Sequence, residues 1–202
     1  MDNDNIQALT SAILERIFVP LEASARHVHL TEEQCLALFG CTLSPERPLS
    51  QPGQFLSKQR LTVIGPKGRF ERVAVLGPAR KEAQVELSMT DSRFLGLTPP
   101  IRQSGDVKNT PGIILEGPKG RIGIRQGVII AQRHLHLTPE DAARFGVTDK
   151  QVVRLQTYTC RPVLFQDVMV RVRPDFATAA HLDFDEANAC GLKNGDLGRV
   201  LP

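Results

Sequence analysis

Four of the five histidines in this 202-residue sequence fall in two hexapeptides, RHVHLT at residues 26–31 and RHLHLT at residues 133–138. Each sets two imidazoles two residues apart. On a helix such side chains diverge by about 200°, whereas on a strand residues i and i+2 share a face. As strands, the hexapeptides aim both histidines at one point while Val28 or Leu135 faces the core. Two imidazole nitrogens converging at about 2.0–2.1 Å suit one metal ion, so two pairs predict two metals. Each pair needs further ligands. His181, in AAHLDFDE, is the one histidine left and makes a three-histidine set with one pair; carboxylate or thiolate must complete the other. Imidazole with open positions makes zinc the first candidate, with iron and nickel compatible by ligand type.

The elements around these residues read as short apolar runs bounded by Gly and Pro: LTVIGPKGRFERVAVLGP, GIILEGPKGRIGI and GVIIAQRHLHL. Such runs predict strands and hairpins. GPKGR occurs at residues 65–69 and again at 117–121, as one turn used twice; its spacing of 52 differs from the 107 between hexapeptides, so the chain is not a plain tandem duplication. TPEDAARFGVTDKQVVRL (138–155) and DFDEANACGLKNGDLGRV (183–200) each predict a capped short helix, a Gly end, a polar turn and a strand, and TEEQCLALFG (31–40) repeats the first half. Many strands with few short helices favour a mainly β, barrel-like architecture over alternating βαβ units. Ahead of all this, NIQALTSAILERIF (5–18) sets Ile6, Leu9, Ile13, Leu14 and Ile17 on one helical stripe that Pro20 ends. This helix either packs on its own domain or serves as a detachable docking peptide.

The composition excludes several classes. At 41% apolar and 23% charged residues the chain is globular, and no run approaches the roughly 20 apolar residues of a membrane helix. A charge of +3 suits small anions, but without clustered basic runs, and with one Tyr and no Trp, nucleic acid is not expected. Cys35, Cys41, Cys160 and Cys190 form no C-x-x-C pair, and no secretory leader precedes them, which predicts a soluble protein in a reducing interior.

SARHVHLT, QPGQF, TVIGPKGRF, LGPARKEAQVELSMTD, RQSGDVKNTPGI, GVIIAQRHLHLT, FQDVMVRV and HLDFDEANACG occur in this order, and together they resemble the phosphate propanoyltransferases of bacterial microcompartments, a family of phosphotransacylases. The resemblance runs from about residue 19 onward. It implies an acyltransferase that interconverts acyl-CoA plus phosphate with acyl phosphate plus CoA, using two zinc ions. It also implies two small β-barrel domains with short capping α-helices and the active site at their interface. One barrel would take residues 20–25 with 132–202 and the other residues 26–131, behind an N-terminal helix at 1–19 that serves as an encapsulation peptide.

By the same resemblance His27, His29 and Glu86 hold one zinc, with the CoA sulfur able to join them, and His134, His136 and His181 hold the other. Arg80 matches the phosphate-handling arginine; lying six residues before Glu86, it would share that residue's face on an unbroken strand. Ala23, Ser24, Ala25, Lys67 and Asn188 match positions that contact coenzyme A. Ala25 replaces a commoner Asn, and Ala74 stands where an Arg can assist nucleotide binding. A homodimer in the microcompartment lumen, or otherwise the cytoplasm, is implied as well, with shell or core proteins as partners for residues 1–18. Two rival readings stay open on the residues alone: a dinuclear zinc thioester or phosphoester hydrolase, and a non-enzymatic metal-stabilised β-barrel binding module.

Overall fold

A computed structural model describes residues 18–202 throughout, together with Asn5, Gln7, Thr10, Ile13, Leu14, Arg16 and Ile17. Those seven are helical and exposed, whereas Ile6 and Leu9 of the expected apolar stripe lie outside the described residues. Beyond this segment the chain forms fifteen strands and four short helices. In order these are β1 (Val19–Ser24), β2 (His27–His29), α1 (Glu32–Phe39), β3 (Pro45–Pro48), β4 (Phe55–Ile64), β5 (Arg69–Gly77) and β6 (Gln84–Leu87). There follow α2 (Met89–Leu95), β7 (Ile101–Arg102), β8 (Ile113–Gly117), β9 (Gly120–Ile124), β10 (Val128–Ala131) and β11 (His134–Leu137). The chain ends with α3 (Pro139–Phe145), β12 (Val152–Tyr158), β13 (Leu164–Val172), β14 (Ala179–Asp183), α4 (Phe184–Cys190) and β15 (Leu197–Leu201). No helix among the described residues is long and apolar enough to cross a membrane.

The architecture is mainly β with short helices, as the sequence predicts, and divides into two units. The first comprises Met1–Ser24, Arg133–Leu182 and Glu186–Pro202. Its six strands close a barrel in the order β1-β14-β11-β13-β12-β15, with β1 pairing back onto β15. Period-two burial drives the closure: Val153, Leu155 and Thr157 of β12 point inward between exposed neighbours. Val19, Leu135, Val170 and Leu182 fill the interior.

The second unit, Ala25–Gln132 with Asp183–Asp185, is a nine-stranded sheet in the order β7-β10-β6-β2-β5-β4-β8-β9, with β3 on β4. It curls as a half-barrel. Its two ends are poor templates for further pairing, because β7 has two residues and β9 (GRIGI) is glycine-rich and largely exposed. Val28, Leu61, Val75, Val85 and Leu115 form its core. β10 and β11 are neighbours in sequence, but they lie in different sheets instead of forming one hairpin.

Both hexapeptides run from strand directly into helix cap. Thr31 and Thr138, their last residues, accept hydrogen bonds from Gln34 N and Asp141 N as the N-caps of α1 and α3. Gly40 and Gly146 close those helices in the left-handed region, at φ 72° and 66°. Ser88 and Gly96 frame α2 in the same way.

Candidate metal-binding active site

β2 lies between β5 and β6, with His27 opposite Glu86 and His29 opposite Gln84 on the antiparallel β6. One ligating atom each from His27, His29 and Glu86 lie within 4.8 Å of one another, all buried. Among the described residues this is the one set of three His, Cys, Asp or Glu that meets so closely. His27 Nδ1 bonds to the Ala25 carbonyl (2.8 Å), which turns Nε2 toward Glu86 Oε1 at 3.4 Å. His29 Nδ1 is buried and has no hydrogen-bond partner among the described residues. A buried orphaned nitrogen beside an oriented imidazole and a carboxylate is the donor chemistry of a zinc-type site, so these residues fit a metal.

The electrostatics agree with the geometry. Burial opposes charge on His27, but the Glu86 carboxylate and the bonds to Glu86 and Ala25 outweigh it and raise its pKa. His29 is held well below the ordinary value by burial, then by the charges of His27 and Arg80, so it stays a neutral donor. Glu86 is itself held: Gln84 Nε2 donates to Glu86 Oε1 (2.5 Å) and to Ser104 Oγ (2.9 Å), while Gln84 Oε1 accepts from Gly105 N (2.6 Å). Arg80 Nη1 also donates to Ser104 Oγ, at 3.1 Å.

The second hexapeptide builds a related group. His134 faces His181 across the antiparallel β11–β14 pair, and His136 faces Arg171 on the parallel β13. The rings of His134, His136 and His181 lie 4.6–5.0 Å apart between centroids, with His134 and His181 stacked at 15°. His136 stacks on Phe176 at 4.2 Å, and neither of its buried ring nitrogens has a hydrogen-bond partner among the described residues. Its pKa falls to about 2, through burial first, then the charges of His134, His181, Arg171 and Arg173. Glu22 Oε2, on β1, stands 3.6 Å from His181 Nε2. Three clustered imidazoles with a nearby carboxylate also fit a metal.

The other expected site residues are placed as follows. Arg80 is not on the strand with Glu86: β6 begins at Gln84, and Arg80 lies in the loop after β5, its backbone N–H donating to Leu30 O (2.8 Å). Shared strand parity is therefore not what brings it close; the loop and Ser104 are. Ala23 and Ser24 end β1, Ala25 follows it, and Asn188 is exposed on α4. Ala74 is the parallel partner of His27 on β5, so its small side chain sits beside the first histidine. Lys67 lies in the first Gly-Pro-Lys-Gly turn, its backbone N–H donating to Leu95 O at the end of α2 (3.0 Å).

Gln84, Ser104, Glu22, Arg171, Arg173 and Phe176 are site residues that sequence reasoning missed. Only Gln84 carried a signal, since it lies two residues before Glu86 and so on the same strand face.

Buried histidines and a carboxylate held by a polar network on rigid strands form a reactive site, and comparison with known proteins gives its class as an acyltransferase. The family model described as phosphate propanoyltransferase matches residues 20–193. A phosphate propanoyltransferase from Enterococcus faecalis is 46% identical over 98% of this chain and 98% of its own length. One from Listeria monocytogenes is 45% identical over 100% and 97%, and one from Thermotoga maritima is 51% identical over 88% and 86%. The chain belongs to the phosphate propanoyltransferase family and is a phosphate acyltransferase.

Proposed function

We propose that the chain interconverts acyl-CoA plus phosphate with acyl phosphate plus CoA, for propanoyl or acetyl groups, and that it holds two zinc ions. The observation that carries this reading is the buried His27–His29–Glu86 set in a chain of this family. His27, His29 and Glu86 would hold one ion, and His134, His136 and His181 the other. Bound there, the metals would supply Lewis-acid stabilisation of a thiolate and of developing oxyanion charge.

The chain's own residues then divide the work. Gln84, itself bonded to Ser104, holds the Glu86 side chain in place, and the Ala25 carbonyl fixes the tautomer of His27. Arg80 binds phosphate through its planar fork, and Arg171 and Arg173 give the second histidine group a cationic surround that favours an anion. A phosphate oxygen forms the new C–O bond at the thioester carbonyl, the C–S bond breaks, and the CoA sulfur leaves as thiolate. Ala23, Ser24, Ala25, Lys67 and Asn188 contact coenzyme A. Holding phosphate ahead of water separates this enzyme from a hydrolase with the same donors.

Thioester cleavage that requires phosphate and yields acyl phosphate, on protein carrying two zinc equivalents by elemental analysis, supports the reading. Equal cleavage without phosphate would make it a hydrolase. Arg80→Ala should raise the KM for phosphate, and an unchanged KM removes that role. We further infer a homodimer and a microcompartment location, with residues 1–18 as the docking peptide. In favour of the peptide, Ile13, Leu14 and Ile17 leave 49%, 39% and 41% of their surface to solvent. Deleting residues 1–18 should keep activity but abolish co-purification with shells, and light scattering reads the dimer.

A further inference from the structure

Each hexapeptide opens with an arginine for which the metal reading has no use. Arg26 Nε donates to Asp91 Oδ2 (3.0 Å) and Nη2 to Asp91 Oδ1 (2.6 Å), with the guanidinium 4.1 Å above the Phe70 ring. Arg133 Nη1 donates to Glu186 Oε1 (2.7 Å), with the guanidinium 5.8 Å from the Phe165 ring. Asp91 is the third residue of α2 and Glu186 the third of α4. α2 follows β6, which carries Glu86, and α4 follows β14, which carries His181. The offset is the same in both: Glu86 precedes Asp91 by five residues, and His181 precedes Glu186 by five. In both, the residue that starts this count pairs across the sheet with the first histidine, Glu86 with His27 and His181 with His134.

One circuit therefore occurs twice. It runs from the arginine to the first histidine, across the strand pair to the third ligand, along the chain to a helical acid, and back to the arginine. We propose that Arg26 and Arg133 are positioning residues whose ion pairs lock the register in which the third metal ligand faces the first histidine. The inference rests on the metal-ligand reading above.

The need for a lock follows from strand length. β2 has three residues and β11 four, so few ladder hydrogen bonds hold either in place. A slip of one residue would turn every side chain to the other face and remove both histidines from the site. A bidentate arginine fork resists such a slip in a way a lysine point charge does not. Asp91, only 4% exposed, is bound by two donors of Arg26, and Glu186, with 16% of its side chain exposed, is bound by Arg133.

The test reads zinc affinity in the full chain by competition with a chromophoric chelator, apart from activity. In an H136A background, which keeps the first site, R26Q should weaken zinc binding about 10- to 100-fold, the range for residues that orient a ligand. In an H29A background, which keeps the second site, R26Q should leave zinc binding unchanged and R133Q should weaken it. Unchanged affinity for R26Q in the H136A background, or equal weakening in both backgrounds, overturns the proposal. If R26Q does not fold, R26K carries the test, and it should bind between the parent and ten-fold weaker values, where parent-like binding overturns it. A parent protein that binds no zinc instead overturns the metal reading beneath.

Discussion

The two hexapeptides are used position for position in the same way, and burial lowers the second histidine of each, yet different groups stand across from them. In both, arginine pairs with a helical acid, two histidines share a face, an aliphatic residue and a leucine enter the core, and threonine caps the next helix. What differs is the strand across from each. β6 brings a carboxylate held by Gln84, and His27 is raised. β14 brings a third imidazole, the parallel β13 brings Arg171, and His136 falls to about 2. A shared scaffold fixes where donors sit, and its neighbours fix the charge they carry. Under the proposed function, one group would take the leaving sulfur and the other the incoming phosphate.

Exchanging the third ligands should break this contrast with the largest effect. Glu86→His makes the first set all-imidazole, so elemental analysis should still find the metal there while kcat falls by about 100-fold, the scale of losing one tuned electrostatic group. His181→Glu puts an anion into the cationic group and should raise the KM for phosphate. Wild-type kinetics in both variants would mean that the third ligands are interchangeable.

The polar network that only the first set possesses comes next. Gln84→Ala leaves the buried Glu86 carboxylate and Gly105 N–H without their amide partner, at about 1–3 kcal/mol. For a chain of this size that is a fall in Tm of roughly 2–12 °C. The residue opposite His136 is Ala179, which carries no side-chain amide, so the second set has no counterpart of this variant at that position. A Gln84→Ala protein with unchanged Tm and zinc content would remove the network from the account.

Acid sensitivity of metal-free protein separates the sets more finely. An unfolded histidine titrates near 6.5. His29 and His136 are lowered when folded, so below about pH 6.5 the unfolded chain binds more protons and stability falls with pH. His27 is raised, so its contribution is full below about pH 6.5 and is lost as pH rises through its folded value. In the first set His27 therefore contributes slope only above about pH 6.5 and His29 only below it, and in the second His136 contributes below it. His136→Gln should therefore flatten the loss between pH 6.5 and 5 in urea titrations, by up to about 1.4 kcal/mol per pH unit. Replacing His27 and His29 together should flatten the same window through His29 and, unlike His136→Gln, also remove the loss above about pH 6.5 that His27 contributes. An unchanged slope above about pH 6.5 in the double variant would show that the charge on His27 is misread.

Much of this was legible locally. Alternating apolar runs give strands, i and i+2 histidines on a strand share a face, and Thr31 with Gly40, like Thr138 with Gly146, brackets a helix. The acyltransferase class came from ordered blocks resembling a family, not from spacing, which left the third partner of His27 and His29 open. What was illegible depends on distant chain segments. Arg26 and Asp91 are 65 positions apart, and nothing in MTDSRFL announces α2 by periodicity. Strand parity misled for Arg80, because β6 starts only at Gln84. That one sheet closes through β1 and β15 while the other ends on β7 and β9 depends on pairing between distant segments, which a local pattern does not encode.

The repeated Gly-Pro-Lys-Gly turn offers the smallest effect and the finest comparison. Both copies dock against a helix end: Lys67 N donates to Leu95 O and Lys119 N to Leu38 O, each at 3.0 Å. A Cβ on Gly65 or Gly117 would meet those same carbonyls at 2.4 Å, which explains the glycines. A lysine beside a helix C-terminus stabilises by about 0.3–1 kcal/mol, so this shared packing accounts for Lys67 without any ligand. Coenzyme A contact predicts an asymmetry that packing does not. Lys67→Ala and Lys119→Ala should lower Tm alike, but only Lys67→Ala should raise the KM for acyl-CoA, by about two- to five-fold for one exposed charge pair, and less at high salt. An equal rise in both would assign the effect to the general field of the protein, and no rise in either would leave Lys67 as a turn residue alone.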